Sequence, residues 1–142
     1  MNKSFYLEIL TPSRTFYRGE CVSLTVPLDD GAYGIMANHV SITAAIIPGE
    51  VTFTVPDGTT NLCSVSQGII DVKNNTVKLL CESVLRPDEI DESEELMKVE
   101  KSKEDMRSKQ GYKDYVLSEI MLKQAMNNLR VKKHDKANIN QR

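Results

Sequence analysis

One change of character near residue 86 limits what this chain can fold into. Four of its five prolines and six of its seven glycines precede that point, so the first part is cut into short segments. From Pro87 to His134 there is no further proline and only Gly111, and the composition turns charged and helical. A compact β region followed by a helical arm is the expected organisation, divided as 1–86 and 87–142.

The first region alternates in the way a half-buried strand requires. Phe5 to Leu10 opens a strand, Thr11-Pro12-Ser13-Arg14 turns it, and Cys21 to Val26 follows, ended by Pro27. Val51, Phe53 and Val55 share one face and Thr52 and Thr54 the other, with Pro56-Asp57-Gly58 turning the chain into Thr59 to Val65. Gly68 to Val72, the Lys73-Asn74-Asn75 turn, and Thr76 to Cys81 form a second hairpin. Many short strands without an intervening helix predict an antiparallel β-sandwich, or flattened barrel, followed by a two-helix hairpin: an α+β chain.

One stretch of the β region stands apart. Gly31 to His39 packs two glycines, Asn38 and His39 into nine residues and reads as a loop between strands, the kind of place where contact surfaces form. For Gly31 and Gly34 the competing reading is that they only solve backbone geometry.

In the arm, Pro87 with Asp88, Glu89, Asp91 and Glu92 predicts a helix from about residue 88 to 107, negative at its positive end. Ile90, Leu96, Met97, Val99 and Met106 give it a thin apolar stripe. Ser108 to Gly111 reads as a break, and a second helix is expected over about 112–133, a rod of roughly 30 Å with a basic tail. At about 100° per residue, Tyr115, Leu122, Met126 and Leu129 share one side, Val116 and Ile120 another, and Leu117 and Met121 a third. Either this helix meets more than one partner, or part of that surface is simply exposed. Arg130, Lys132, Lys133 and Lys136 suit a helix C-terminus and also an acidic target.

Chemistry is harder to find. His39 and His134 are the only histidines and neither accompanies a nucleophile motif; no phosphate-cradling glycine loop and no HExxH occurs. Cys21, Cys63 and Cys81 lack the spacing of a zinc site and read as reduced strand-borne fillers, so neither a metal nor a cofactor is expected. A net charge of -2 gives no reason to bind nucleic acid. The longest apolar run, Ile42 to Ile47, is too short to span a bilayer, so membrane association is expected only through partners.

These pieces closely resemble the epsilon subunit of bacterial F-type ATP synthase over residues 5–134. The resemblance is carried by Leu7-Glu8-Ile9-Leu10-Thr11-Pro12, Phe16-Tyr17-Arg18-Gly19, Val26-Pro27, the Gly31 to His39 stretch, Pro48-Gly49 and Leu129-Arg130-Val131. It implies a non-catalytic rotor subunit on the cytoplasmic face of the cell membrane, whose sandwich binds the gamma subunit and rests on the c-ring. It also implies a C-terminal arm that can extend toward the alpha and beta subunits and oppose ATP hydrolysis. On that resemblance Tyr33, Asn38 and His39 are assigned to gamma and c-ring contact. Tyr115, Ile120, Leu122, Lys123, Met126, Leu129, Arg130, Lys132 and Lys133 are assigned to the inhibitory contact of the arm.

The departures from the family pattern are specific. Ala32 stands where many relatives carry Glu, and Gln67-Gly68-Ile69 has lost one glycine of a GGF or GGI segment. Members that bind ATP on the arm carry an IDxxRA-like motif. Here Ile90-Asp91-Glu92-Ser93-Glu94-Glu95 keeps Ile and Asp but puts Glu94 at the Arg, which should repel phosphate. A nucleotide-sensing module and a free-standing adaptor are the alternative readings.

Overall fold

The computed structural model describes residues 3–107 and 112–140, with side chains over 3–107 and 115–136. The chain divides into two compact units, Met1–Leu85 and Arg86–Arg142.

In the first unit, β1 (Phe5–Leu10), β2 (Thr15–Cys21), β5 (Ile42–Ile46), β8 (Gly68–Lys73) and β9 (Thr76–Cys81) form one sheet in the order β2-β1-β9-β8-β5. A second sheet, ordered β10-β7-β6-β3-β4, contains β3 (Ser23–Leu28), β4 (Gly31–Ile35), β6 (Gly49–Thr54), β7 (Thr60–Val65) and β10 (Val84–Leu85). Strict alternation drives the packing. Phe5, Leu7 and Ile9 of β1 are buried, and so are Leu24 and Val26 of β3, Val51 and Phe53 of β6, and Val77 and Leu79 of β9. Inward faces of two sheets make the core of a sandwich.

Cys21, Cys63 and Cys81 all lie in this core as free thiols. Burial pushes Cys81 up to about 11, and burial also raises Cys21 against the pull of backbone hydrogen bonds at Ser23 and Thr54.

Three details of the β region differ from expectation. The sandwich is not wholly antiparallel, because β1 pairs with β9 in parallel. Its other edge is already taken by β2, and β9 arrives from the β8 hairpin in the same direction as β1. The Gly31 to His39 stretch is only partly a loop: Gly31–Ile35 is strand β4, in register with β3. Pro27 does not end its strand, since β3 runs on to Leu28 with Pro27 opposite Ala32.

In the second unit the helix expected from residue 88 begins later. Pro87–Glu89 is a single 3-10 turn, Ile90 is extended at φ -92° and ψ 119°, and α1 is Glu92–Arg107. Asp91 is the reason: its Oδ1 accepts the Glu94 N–H at 3.2 Å and its carbonyl the Glu95 N–H at 3.0 Å, the arrangement of an N-cap. The second helix, α2, is Tyr112–Asn140 and not about 112–133, because basic residues do not terminate a helix and nothing from Tyr112 on is glycine or proline. The expected break at Ser108 to Gly111 lies outside the described residues.

The two helices pack antiparallel, with Lys136 of α2 bonded to Glu92 of α1 and the Lys132 ammonium donating to the Pro87 carbonyl at 3.0 Å. Leu96 and Met97, expected in the docking stripe, are exposed. The buried side chains of α1 are Glu95, Val99 and Ser102, and those of α2 include Ser118, Asn127 and Asn128 beside Ala125 and Val131. Glu95 is 4% exposed; its Oε1 meets the Lys98 ammonium at 3.4 Å and its Oε2 has no hydrogen-bond partner. Burial pulls the Lys98 pKa down, but Glu95 and then Glu94 outweigh it and hold Lys98 above its usual value.

Candidate functional site

The residues from Met36 to Ser41 carry the chain from β4 in one sheet to β5 in the other, so they cross one end of the sandwich. Each side of this crossing is tied to a different sheet. On the β4 side, the Tyr33 hydroxyl lies 2.8 Å from Nε2 of His39, with the rings edge to face at 5.5 Å between centroids. Nδ1 of His39 is 2.7 Å from the Val40 carbonyl, which can only accept, so Nδ1 carries a hydrogen, and in that tautomer Nε2 accepts a hydrogen bond from the Tyr33 hydroxyl. On the β5 side, the Asn38 N–H donates to Oδ1 of Asn75 at 2.7 Å. Asn38 itself turns the chain at φ 63°, a conformation asparagine tolerates well.

On either side of Asn38 and His39 the loop displays Met36 and Val40, 67% and 72% exposed. Two apolar side chains held outward so near each other make a candidate contact surface, since water contact at both is unfavourable. Tyr33, Asn38 and His39 are thus brought together, while Met36, Val40 and Asn75 escaped the sequence reading. The available signal for the first two was an apolar residue on either side of a turn-forming Asn38-His39; nothing local marks Asn75 as more than a turn residue.

The glycines of this region differ. Gly31, at φ 117°, meets a backbone need. Gly34 does not: its φ is not positive, it is exposed, and a β-carbon on it would touch nothing within 4 Å.

A second apolar area lies on the outer face of the first sheet, toward the end away from Asn75. Ala45, Ile69 and Leu80 are side by side in register and exposed. Further along the same face the row Thr43, Asp71, Lys78, Glu8 and Arg18 is polar, with Thr43 donating to Asp71 at 2.9 Å and Arg18 paired to Glu8 at 3.6 Å.

The arm residues singled out by sequence are not brought onto one surface. Tyr115, Ile120 and Met126 are exposed, whereas Leu122 and Leu129 are half-buried. Lys123 pairs with Glu119 one turn back at 3.3 Å, Lys132 is drawn to Pro87, and Arg130 and Lys133 are exposed. Among the described residues no group of three or more His, Cys, Asp or Glu could hold a metal ion, and no helix is long and apolar enough to cross a membrane.

A sandwich with a loop braced from both sheets, followed by a helical pair that buries both polar and apolar side chains, defines a class of two-unit proteins. Residues 4–87 match the family model for the ATP synthase Delta/Epsilon chain, beta-sandwich domain. The chain is 30% identical over 131 residues to the ATP synthase epsilon chain of Caldanaerobacter subterraneus subsp. tengcongensis, covering 92% of this chain and 95% of that one. It is also 30% identical over 135 residues to that of Caldicellulosiruptor bescii, covering 95% and 98%. A chain in the cryo-EM structure of the Euglena gracilis mitochondrial ATP synthase has the same fold, with a TM-score of 0.79 at 16% identity, covering 89% of this chain and 80% of that one. The protein belongs to the ATP synthase epsilon-chain family, a family of non-catalytic subunits.

Proposed function

We propose that this epsilon subunit rides in the central stalk, where its sandwich joins the gamma subunit to the c-ring and its helices act as a brake on ATP hydrolysis. The observation that carries this reading is the loop tied to both sheets, which holds Met36 and Val40 outward as a rigid docking point. A subunit that transmits torque needs a stiff contact, and bracing from two sides supplies stiffness.

The apolar row Ala45, Ile69 and Leu80 is a second contact area on the same unit. Membrane association follows from the partners alone, at the cytoplasmic face, and no reaction is catalysed by this chain. In the brake, Tyr115, Ile120 and Met126 meet apolar surfaces of the alpha and beta subunits, and Lys123, Arg130 and Lys133 meet acidic ones. Leu122, Leu129 and Lys132 join them only when the helices part, since they are half-buried in the folded pair. ATP is not the trigger: where an arginine would meet phosphate, Glu94 holds Lys98 at 3.4 Å beside Glu95.

Truncation after Arg86 tests the brake. The shortened chain should still assemble into a coupled complex while ATP hydrolysis rises. Unchanged hydrolysis would reject the inhibitory role, and failure to co-purify with ATP synthase subunits would favour a free-standing adaptor.

A further inference from the structure

We propose that Asn75 is a positioning residue for the contact loop, acting through Asn38 rather than by touching a partner. Lys73 and Thr76 pair across the β8–β9 turn, and the two residues between them, Asn74 and Asn75, have φ values of 52° and 58°. Two left-handed residues in a two-residue turn are the mirror-image geometry that matches strand twist, and asparagine is among the few residues that adopt it readily. The turn alone therefore accounts for an asparagine or a glycine at either position.

It does not account for what the Asn75 side chain does. Its Oδ1 accepts the Asn38 N–H at 2.7 Å, and its Nδ2 donates to the Ser4 carbonyl at 2.9 Å. Its own carbonyl accepts the Tyr6 N–H at 3.2 Å. The backbone partners fix the orientation of the amide, since an N–H requires the oxygen and a carbonyl requires the nitrogen. One residue thus clamps three separate segments: the crossing loop, the β8–β9 turn and the lead into β1. Asn38 sits midway between Met36 and Val40, so the bond to its N–H sets where both apolar side chains stand relative to the first sheet. Losing it removes the tie that the Asn38 N–H makes to the β8–β9 turn, and the partner must then do more of the ordering on binding.

This inference rests on the loop being a docking point, and the experiment separates the two. Full-length Asn75→Gly keeps the turn geometry and removes both arms of the amide; Asn75→Asp keeps the acceptor for Asn38 and removes donation to Ser4. Each is added back to ATP synthase stripped of this subunit, and amide hydrogen exchange is read on the free protein.

Asn75→Gly should weaken association about three- to tenfold, the worth of one net hydrogen bond. It should also speed exchange at Asn38, with Ile70 and Leu79 in the sheet unchanged. Asn75→Asp should retain most of the affinity and the protection of Asn38. Wild-type affinity for Asn75→Gly overturns the inference, as does equal weakening by Asn75→Asp with Asn38 still protected, or loss of protection throughout the sheet. Met36→Ser with Val40→Ser reports on the reading beneath it. If that pair of changes leaves association intact, the loop is not the docking point and both ideas fall; if it weakens association while Asn75→Gly does not, only the role of Asn75 falls.

Discussion

Gly68 lies so close to Leu80 on the neighbouring strand that a β-carbon would stand 2.2 Å from the Leu80 carbonyl oxygen and 2.8 Å from the Cys81 α-carbon. Both obstacles are backbone, so the strand must shift. Gly68→Ala is expected to cost about 1–3 kcal/mol, the range for overpacking, in a denaturant melt of the sandwich. Gly34 is the contrasting case, with open space where its side chain would be. Gly34→Arg should leave the melt unchanged within about 0.5 kcal/mol. If β4 faces a partner, the same change should block assembly; a variant that is both stable and fully assembled would remove this strand from the interface.

Tyr33→Phe keeps the ring against His39 and deletes the hydroxyl. The lost hydrogen bond is worth about 1 kcal/mol, which in a unit of this size lowers Tm by roughly 4–8 °C. Association with the rest of the complex should weaken severalfold as well. A fall in Tm with unchanged association would confine Tyr33 to holding the fold.

Cys81 makes the sandwich sensitive to alkali. Its folded pKa of about 11 lies above the ordinary thiol value of 9.0, so the folded state keeps its proton longer than the unfolded chain does. The stabilisation is complete below pH 9 and is lost as pH rises toward 11, by about 3 kcal/mol at most. Cys81→Ala should flatten that part of the stability profile, at the cost of a small cavity at every pH. Equal slopes for the two proteins between pH 9 and 11 would show that Cys81 is not the group responsible.

Glu95 is a buried side chain with one oxygen unpartnered, and the cation beside it, Lys98, also has Glu94 at 3.4 Å. Replacing Glu95 by methionine removes the desolvated charge without stranding Lys98. The helical pair should gain about 1 kcal/mol, seen as a later loss of helical circular dichroism on heating. In the assembled enzyme a firmer pair should also inhibit hydrolysis less. Earlier melting would show that the free oxygen is satisfied by water.

Much of the sandwich was readable because alternation is a local signal: Val51, Phe53 and Val55 announce both their strand and its buried face. The β1–β9 pairing was not, since which strand fills the open edge of β1 depends on residues seventy positions away. Strand β4 was hidden by the same glycines that mark its stretch as loop-like, although Tyr33 and Ile35 still alternate with Gly34. In the arm, a proline at residue 87 pointed to the wrong helix start; the capping carboxylate of Asp91 decides it. At the site, Tyr33 and His39 could be named from sequence, but the reach of Asn75 across the end of the sandwich could not, because a side-chain amide reveals its targets only when distant segments have been folded together.

The serines, asparagines and glutamate enclosed by the helical pair carry one more implication. If the two helices separate, they uncover hydroxyl, amide and carboxylate groups that water solvates readily beside Val99, Ala125, Val131 and the half-buried Leu122 and Leu129, so the parted form is less sticky than an all-apolar one. An arm made this way, once undocked, offers less apolar surface to bystanders than a leucine-lined seam of equal length would.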